Sequence, residues 1–505
     1  MPQQTAKPAS VFGRDTEWRA LTAFATRSAP RATLGVVSGR RRMGKTFLLR
    51  ALVERLGGFY FGATEATATE SLRQFGAALA AHTGSPARFA FATWDEAITT
   101  LFRHGSQPDG PDGSSDPGGR SFLVVVDEFP YLTRATPEIP SLIQRELDRY
   151  QTQSNRLRLL LCGSAMSVMG GLLAGTAPLR GRAGLELVVQ PFGYRDAAEF
   201  WTVGHQPGLA ARLHAVVGGT PAYRHQFLAD DTPGGDEEFD DWICRTVLSP
   251  VSPMFREARY LLAEEAEIRD PALYQSVLAA VAEGNATRGG IASYIGRKAV
   301  DIAHPLNVLR DCRLLVREND LFRSGRSWFR IAEPLVTFYQ AIMRPSWARL
   351  EAGQAEPVWR ESAPRFASQV VGPHFEAICR EYLLLSGHRV LGSDAAGEVG
   401  TGVVTDPARR QQIQIDAAVL APGSPTGPRR VLALGEAKWG TVLGLGHLDR
   451  LARARDVLAA RGHDTGRCRL VCFGAAGFDP GLRDRTAEDP SVKLVDVAAL
   501  YDPAT

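Results

Sequence analysis

The sequence lacks the features that mark a disulfide scaffold, a zinc ribbon or a secreted protein. Its six cysteines include no C-x-x-C pair, and most of them lie in or beside apolar runs, as reduced and partly buried thiols do. Its opening stretch, MPQQTAKPASVFGRD, contains no apolar core of the kind that a signal peptide needs. We therefore expect a cytoplasmic protein.

A strong charge of one sign is missing too. The chain has 58 Lys and Arg against 55 Asp and Glu, a net charge of +3, so any DNA-binding surface has to be local. The uncharged stretch 159–179 is as long as a membrane span, but glycines and a proline break its apolar core into short pieces. We expect a buried strand followed by a loop or helix there, and no membrane partner.

The 505 residues are enough for about three domains. Short apolar runs at 32–39, 121–128 and 157–164 alternate with helical patterns, which predicts an α/β fold with a buried parallel sheet. We assign residues 1–190 to this core, 191–265 to a helical lid, 266–345 to a small domain of helices and two strands, and 346–505 to a second α/β domain. The Gly-, Pro-, Ser- and Asp-rich segment 105–119 predicts a solvated loop.

One segment has the pattern of a phosphate-binding loop. Residues 39–46, GRRRMGKT, fit G-x-x-x-x-G-K-[ST] between a predicted strand and a predicted helix. Lys45 would reach the β- and γ-phosphates of ATP, and the Thr46 hydroxyl would bind Mg²⁺. A chance glycine turn is the alternative, against which the flanking strand and helix argue. The loop backbone would wrap the phosphates, and it consists of Gly39, Arg40, Arg41, Arg42, Met43 and Gly44.

An acidic pair follows the next apolar run. The run FLVVV ends in Asp127 and Glu128, so Asp127 would bind Mg²⁺ and Glu128 would polarise the attacking water; capping of the next helix is the alternative. After the third run, Ser164 would sense the γ-phosphate. Arg180 and Arg182 would supply an arginine finger, in cis or from a second copy through self-association, or would be ordinary solvated loop arginines.

These motifs resemble those of a known family. Residues 11–225 resemble the archaeal-type P-loop ATPases, relatives of the AAA+ proteins and of the signal-transduction ATPases with numerous domains (STAND). The resemblance implies ATP binding and hydrolysis, with Phe12 and Arg14 near the adenine and Pro221 in a lid turn that contacts the cofactor. The motifs that carry it are FGR at 12–14 with Glu17, GRRRMGKT at 39–46, DEFPYL at 127–132, CGS at 162–164 and GGTP at 218–221.

The small domain shows three helical patterns, at 274–283, 291–295 and 301–312, and then two β-like runs. This order resembles the winged helix that commonly follows such ATPase modules. Arg323 and Arg326 would lie at the wing tip, and four further cations would meet DNA phosphates. The local net charge of +4 is modest for DNA binding, and winged helices also pack against protein, so both roles stay open. The four cations are Arg297, Lys298, Arg310 and Arg313.

The last region pairs two acids with one lysine. Asp416 lies in one predicted strand, and Glu436 and Lys438 share a face of the next. Asp416 and Glu436 would hold Mg²⁺, Lys438 would orient or deprotonate water, and Glu376 on the preceding helix would complete the acidic cluster. The arrangement resembles the PD-(D/E)xK restriction-endonuclease-like fold. A surface Glu–Lys pair is the alternative.

Two functions follow from these motifs. The first is an ATPase whose nucleotide state controls a DNA-binding, DNA-cleaving C-terminal region. The second is an ATP-dependent regulatory switch whose C-terminal domains bind protein or DNA without cutting, since a domain with an intact nuclease motif can serve for binding alone.

Overall fold

The computed structural model describes residues 5–85, 89–106, 121–263, 270–423 and 429–502. The chain divides into two compact units, Met1–Pro191 and Phe192–Thr505. Most of the predicted loop 105–119 lies outside the described residues. Within the described ranges, no helix is long and apolar enough to cross a membrane.

The described residues of the first unit form five strands and seven α-helices. The strands are β1 (Thr33–Ser38), β2 (Phe59–Gly62), β3 (Phe122–Asp127), β4 (Leu157–Gly163) and β5 (Ala183–Val188). The helices are α1 (Asp15–Ala25), α2 (Lys45–Leu56), α3 (Ala68–Thr83), α4 (Trp94–His104), α5 (Phe129–Ala135), α6 (Ile139–Arg149) and α7 (Met166–Gly171).

The strands of this unit form one parallel sheet in the order β2-β3-β4-β1-β5. Strands β3 and β4 are buried along their whole length, because apolar clusters cover both faces of the sheet. That is why the sequence shows continuous apolar runs there and no alternation. The prediction of an α/β fold with a buried parallel sheet is confirmed.

The second unit contains seven strands and fifteen α-helices among its described residues. The strands are β6 (Leu315–Asn319), β7 (Ser327–Ile331), β8 (Glu398–Asp406), β9 (Gln411–Leu420), β10 (Val431–Lys438), β11 (Arg469–Gly474) and β12 (Val492–Asp496). The helices are α8 (Tyr194–Phe200), α9 (Pro207–Val217), α10 (Phe239–Arg245), α11 (Met254–Ala263), α12 (Pro271–Ala282), α13 (Arg288–Ile295), α14 (Ala303–Asp311), α15 (Pro334–Phe338), α16 (Trp347–Glu351), α17 (Ala355–Arg365), α18 (Gly372–Ser386), α19 (His388–Leu391), α20 (Leu445–Ala460), α21 (Pro480–Glu488) and α22 (Val497–Tyr501).

A second five-stranded sheet, in the order β12-β11-β10-β9-β8, forms the C-terminal part of this unit. Strand β9 is antiparallel to both of its neighbours, β8 and β10, whereas β10, β11 and β12 run parallel to one another. One apolar cluster joins the sheet to α9, α15 and α18, and another joins it to α20. Helix α18 precedes β8, and α20 connects β10 to β11, so both candidate acids, Asp416 and Glu436, lie on central, adjacent strands.

Helices α12, α13 and α14 enclose a separate core with the antiparallel pair β6–β7. The tip of this hairpin is bound to the edge strand β8: Asp320 pairs with Thr401, and the Leu321 N–H donates to Thr401 O at 3.1 Å. Arg323 donates to the Thr405 hydroxyl on the same strand. Arg323 thus lies in the turn between the two strands, where the sequence analysis expects it, and is bound to β8 there. The hairpin covers backbone groups that an edge strand otherwise leaves unpaired.

Candidate functional site

The predicted nucleotide-binding residues of the first unit meet at one edge of its sheet. Strand β1 leads into the 39–46 loop, β3 ends at Asp127, and β4 leads into Ser164. In the register of the sheet, Ser38 lies opposite Gly163, and Gly62 lies opposite Asp127. Because parallel strands end at the same edge, segments far apart in sequence form one site there.

The 39–46 loop depends on its two glycines. Gly39 has a φ of 153°, and a Cβ at this position would lie 2.6 Å from the Val189 carbonyl oxygen. Gly44 takes the left-handed conformation, with a φ of 81°, at the start of α2. The loop thus passes close to the end of β5 and turns directly into a helix whose amino end favours anions.

Lys45 lies inside this loop with 5% of its surface exposed. Its Nζ donates to the carbonyl oxygens of Gly39 at 2.7 Å and Arg40 at 2.8 Å. Burial lowers the pKa of Lys45, although the nearby carboxylates of Glu128 and Asp127 oppose this. Arg41 donates to the Tyr131 hydroxyl at 3.2 Å. The loop therefore surrounds a single buried ammonium group.

Asp127 is the centre of a second set of contacts. Its Oδ2 accepts hydrogen bonds from the Thr46 hydroxyl and the Tyr60 hydroxyl, each at 2.7 Å, and its Oδ1 accepts from the Glu128 N–H at 2.9 Å. Burial alone would raise the pKa of Asp127, but these hydrogen bonds outweigh it and hold the pKa below its usual range. The hydroxyl and the ionised carboxylate are hard oxygen ligands of the kind that Mg²⁺ takes, so the residues fit this ion.

Glu128 and Ser164 also come together. Glu128 begins α5 in the left-handed conformation, with a φ of 51°, and the Ser164 hydroxyl donates to its Oε2 at 3.1 Å. The prediction places Ser164 at the γ-phosphate. In this structure its hydroxyl holds the carboxylate that would polarise water.

The residues expected near the adenine lie at the end of β5 and beside the loop. Phe12 is 39% exposed. Arg14 donates to the carbonyl oxygens of Gln190 at 2.7 Å and Met43 at 3.2 Å, and it pairs with Glu17 at 3.1 Å. Arg14 thus ties the 39–46 loop to the chain after β5. Pro221 lies in the second unit, just before the π-helical segment Tyr223–Phe227.

The two candidate finger arginines bind within their own chain. Arg182 holds both oxygens of the Asp148 carboxylate, with Nε to Oδ1 and Nη2 to Oδ2 at 2.8 Å each. Arg180 donates to the Gly175 carbonyl oxygen at 2.5 Å. A role for Arg182 at a phosphate therefore requires its ion pair with Asp148 to open, and the finger remains a prediction.

In the second unit, Asp416, Glu436 and Lys438 lie together as predicted. The Lys438 Nζ lies 3.2 Å from Asp416 Oδ2 and 2.8 Å from Glu436 Oε1. Arg450 on α20 binds the same Glu436 oxygen. The other oxygen, Oε2, is buried and accepts no hydrogen bond from the described residues. The predicted cluster is thus joined by a second cation that the sequence analysis did not include.

Glu376 lies close enough to Asp416 for their charges to interact. Burial, aided by the Asp416 charge, raises the pKa of Glu376 to about 7. Arg380 lies 4.0 Å from Glu376 and donates to the Asp416 carbonyl oxygen at 2.8 Å. Within the described residues, no group of three or more His, Cys, Asp or Glu side chains is placed to hold a metal ion. Glu376 as a third metal ligand remains a prediction.

The cations proposed for DNA phosphates are all exposed. Arg310 pairs with Asp311 at 3.3 Å, and Arg313 follows α14 in the left-handed conformation, with a φ of 56°. They are Arg297, Lys298, Arg310 and Arg313.

Sequence reasoning missed three residues that contact these sites: Tyr60, Arg380 and Arg450. Tyr60 lies in a four-residue strand with no motif, and the two arginines lie on helices whose faces toward the sheet depend on tertiary packing. The one usable signal was the position of Arg380, which lies four residues after Glu376 on a predicted helix.

Comparison with known proteins gives distant likenesses. No protein-family model matches the chain. An uncharacterized protein of Methanocaldococcus jannaschii is 25% identical over 353 residues, which cover 69% of this chain and 72% of that protein.

Among solved structures, a Walker-type ATPase of Pyrococcus abyssi is 20% identical to this chain, with a TM-score of 0.48. The matched region covers 66% of this chain and 97% of that ATPase. The ORC2 protein of Aeropyrum pernix is 14% identical and covers 72% of this chain and 98% of its own, with a TM-score of 0.42.

Proposed function

We propose that this chain is an ATP-binding and ATP-hydrolysing P-loop ATPase whose nucleotide state controls a DNA-binding C-terminal region. The observation that carries the proposal is the 2.7 Å hydrogen bond from Thr46, the last residue of the loop, to Asp127 at the end of β3. It puts a hydroxyl and an ionised carboxylate together one residue away from Lys45. This is the set of groups that Mg²⁺ and a triphosphate require.

Each residue has a separate task in the reaction. The amides of the 39–46 loop and the amino end of α2 bind phosphate oxygens, and Lys45 exchanges its two carbonyl partners for the β- and γ-phosphates. Thr46 and Asp127 would hold Mg²⁺, which would supply charge neutralisation at the transferred phosphoryl group. The Glu128 carboxylate orients the water that attacks the γ-phosphorus and accepts its proton, while the bond from the γ-phosphorus to the bridging oxygen breaks and ADP leaves. The Ser164 hydroxyl, which donates to Glu128 Oε2, holds this carboxylate in place and leaves other acceptor sites for the water.

Replacement of Lys45 by alanine tests the proposal. Lys45→Ala removes the only ammonium group of the loop, and we expect calorimetry to show no ATP binding. Circular dichroism should show a folded protein, because the lysine contacts loop carbonyls and not the apolar core. Lys298→Ala, which removes an exposed lysine from the second unit, is the control. If Lys45→Ala binds ATP with the wild-type affinity, the nucleotide site is wrongly assigned.

A second proposed activity is Mg²⁺- or Mn²⁺-dependent DNA nicking at Asp416, Glu436 and Lys438. The order α18-β8-β9-β10-α20-β11 supports it, as does the buried Glu436 Oε2 that has no partner among the described residues. The Arg450–Glu436 contact favours the alternative, a region that binds DNA or protein without cutting, because the guanidinium occupies the carboxylate that a metal would need.

A nicking assay on supercoiled DNA with Mn²⁺, with and without ATP, separates the two activities. Arg450→Ala frees Glu436 and should raise nicking if the site is a nuclease. Retained DNA binding with no nicking by the wild type or by Arg450→Ala would establish the alternative. If replacement of both Arg297 and Lys298 by alanine abolishes DNA binding, the result would support DNA contact through the segment that follows α13.

A further inference from the structure

Tyr60 reaches the centre of the nucleotide site from β2, a strand that contributes no sequence motif. Its hydroxyl donates to Asp127 Oδ2 at 2.7 Å. That oxygen also accepts the hydrogen bond from Thr46. The phenol and the threonine therefore hold the same carboxylate oxygen from two sides.

The ring of Tyr60 is itself held by the helix that follows the loop. The guanidinium carbon of Arg50 lies 4.3 Å from the ring centroid, within the range of a cation–π contact. Arg50 is one turn beyond Thr46 on α2. Helix α2 thus reaches Asp127 twice, directly through Thr46 and indirectly through Arg50 and Tyr60.

The Asp127 carboxylate is held on its other oxygen as well. The Glu128 N–H holds the other carboxylate oxygen at 2.9 Å.

We propose that Tyr60 is a positioning residue that fixes the Asp127 carboxylate for Mg²⁺, and that Arg50 fixes Tyr60. The inference rests on the proposed ATPase function. The Thr46 hydroxyl would bind Mg²⁺ through an oxygen lone pair and could still donate its proton to Asp127. Tyr60 and the Glu128 N–H would keep the carboxylate from rotating, so that Asp127 would present one orientation to the ion.

The test is the Mg²⁺ dependence of nucleotide binding by Tyr60→Phe, which removes only the hydroxyl. Calorimetry in EDTA should give the wild-type ATP affinity, because Tyr60 is not expected to touch the phosphates. Added Mg²⁺ should increase the ATP affinity of both proteins. The Mg²⁺ concentration that gives half of this increase should be about tenfold higher for Tyr60→Phe than for the wild type, as expected for loss of one hydrogen bond to a charged group. Arg50→Ala should shift it in the same direction by less. Tyr150→Phe, at another buried tyrosine of the first unit, should behave as the wild type.

A Mg²⁺ requirement of Tyr60→Phe within about twofold of the wild type would overturn the inference, because loss of a hydrogen bond to a charged group should cost more than that. A Tyr60→Phe protein that loses affinity in EDTA would also overturn it, since Tyr60 would then shape the nucleotide pocket itself. A wild-type protein that binds no ATP would instead refute the proposed function.

Discussion

The pH dependence of stability should reveal Glu376 as an acid that resists ionisation in the folded protein. Burial, aided by the Asp416 charge, raises its pKa from 4.5 to about 7, although the cations Arg380 and Lys438 oppose this. In the unfolded chain the same carboxyl group ionises near its usual value. Between about pH 4.5 and 7 the folded state therefore binds more protons than the unfolded state, and stability falls as the pH rises.

The size of the effect follows from the interval between the two pKa values. At about 1.4 kcal/mol per pH unit, the rise from 4.5 to about 7 corresponds to about 3 kcal/mol above pH 7, and to less than about 1 kcal/mol at pH 5. Glutamine has nearly the same shape and no charge to desolvate. Glu376→Gln should therefore stabilise the second unit by about 3 kcal/mol at pH 8 and far less at pH 5.

Urea unfolding at pH 5 and pH 8, followed by tryptophan fluorescence, measures this difference. Trp439, whose ring centroid lies 5.5 Å from that of Phe375, the neighbour of Glu376, is one of the eight tryptophans that contribute to this signal. Glu351→Gln, at an exposed residue, is the control and should change stability equally little at both pH values. If the gain from Glu376→Gln is the same at pH 5 and pH 8, the carboxyl group ionises normally and the reasoning is refuted.

Three further predictions concern other residues. Glu128→Gln should still bind ATP but hydrolyse it at least about 100-fold more slowly, the usual contribution of a positioned base; wild-type phosphate release in a single-turnover assay would show that Glu128 is not that base. Arg158→Met should lower the free energy of unfolding of the first unit by about 2–4 kcal/mol, because the buried guanidinium donates to the carbonyl oxygens of Arg27, Ala29 and Arg31 at 2.5–2.8 Å. If thermal unfolding shows that Arg158→Met lowers the free energy of unfolding by less than about 0.5 kcal/mol, the hydrogen bonds of Arg158 do not stabilise the first unit. Asp416→Ala should abolish Mn²⁺ binding to the second unit in calorimetry, whereas Lys438→Ala should retain it. If the wild type binds no Mn²⁺ near Asp416 at millimolar metal concentration, the proposed nuclease activity is ruled out.

The parts of the fold that sequence predicted are those with a local physical signature. Continuous apolar runs located β3 and β4, because burial on both faces removes polar positions. The predicted strand that contains Asp416 corresponds to β9 (Gln411–Leu420). The Lys45 and Asp127 segments could be placed in one site because parallel strands end at a common edge.

Strands β2 and β8 lack such a signature. Strand β2 has four residues, and β8 contains Gly400 and Gly402, so neither shows a hydrophobic period. The contacts of Tyr60 with Asp127 and of Arg450 with Glu436 depend on how strands and helices pack, which no spacing along the chain encodes. The docking of Arg323 on β8 was unpredictable for the same reason, since β8 itself was not predicted.

The hairpin tip on β8 has a mechanical consequence for the second unit. The backbone bond from Leu321 to Thr401 and the bond from Arg429 to the Leu321 carbonyl oxygen at 2.9 Å attach the hairpin tip to the second sheet. A force that a ligand applied to α13 or α14 would therefore reach β8 through the hairpin, and β8 is paired along most of its length with β9, the strand of Asp416.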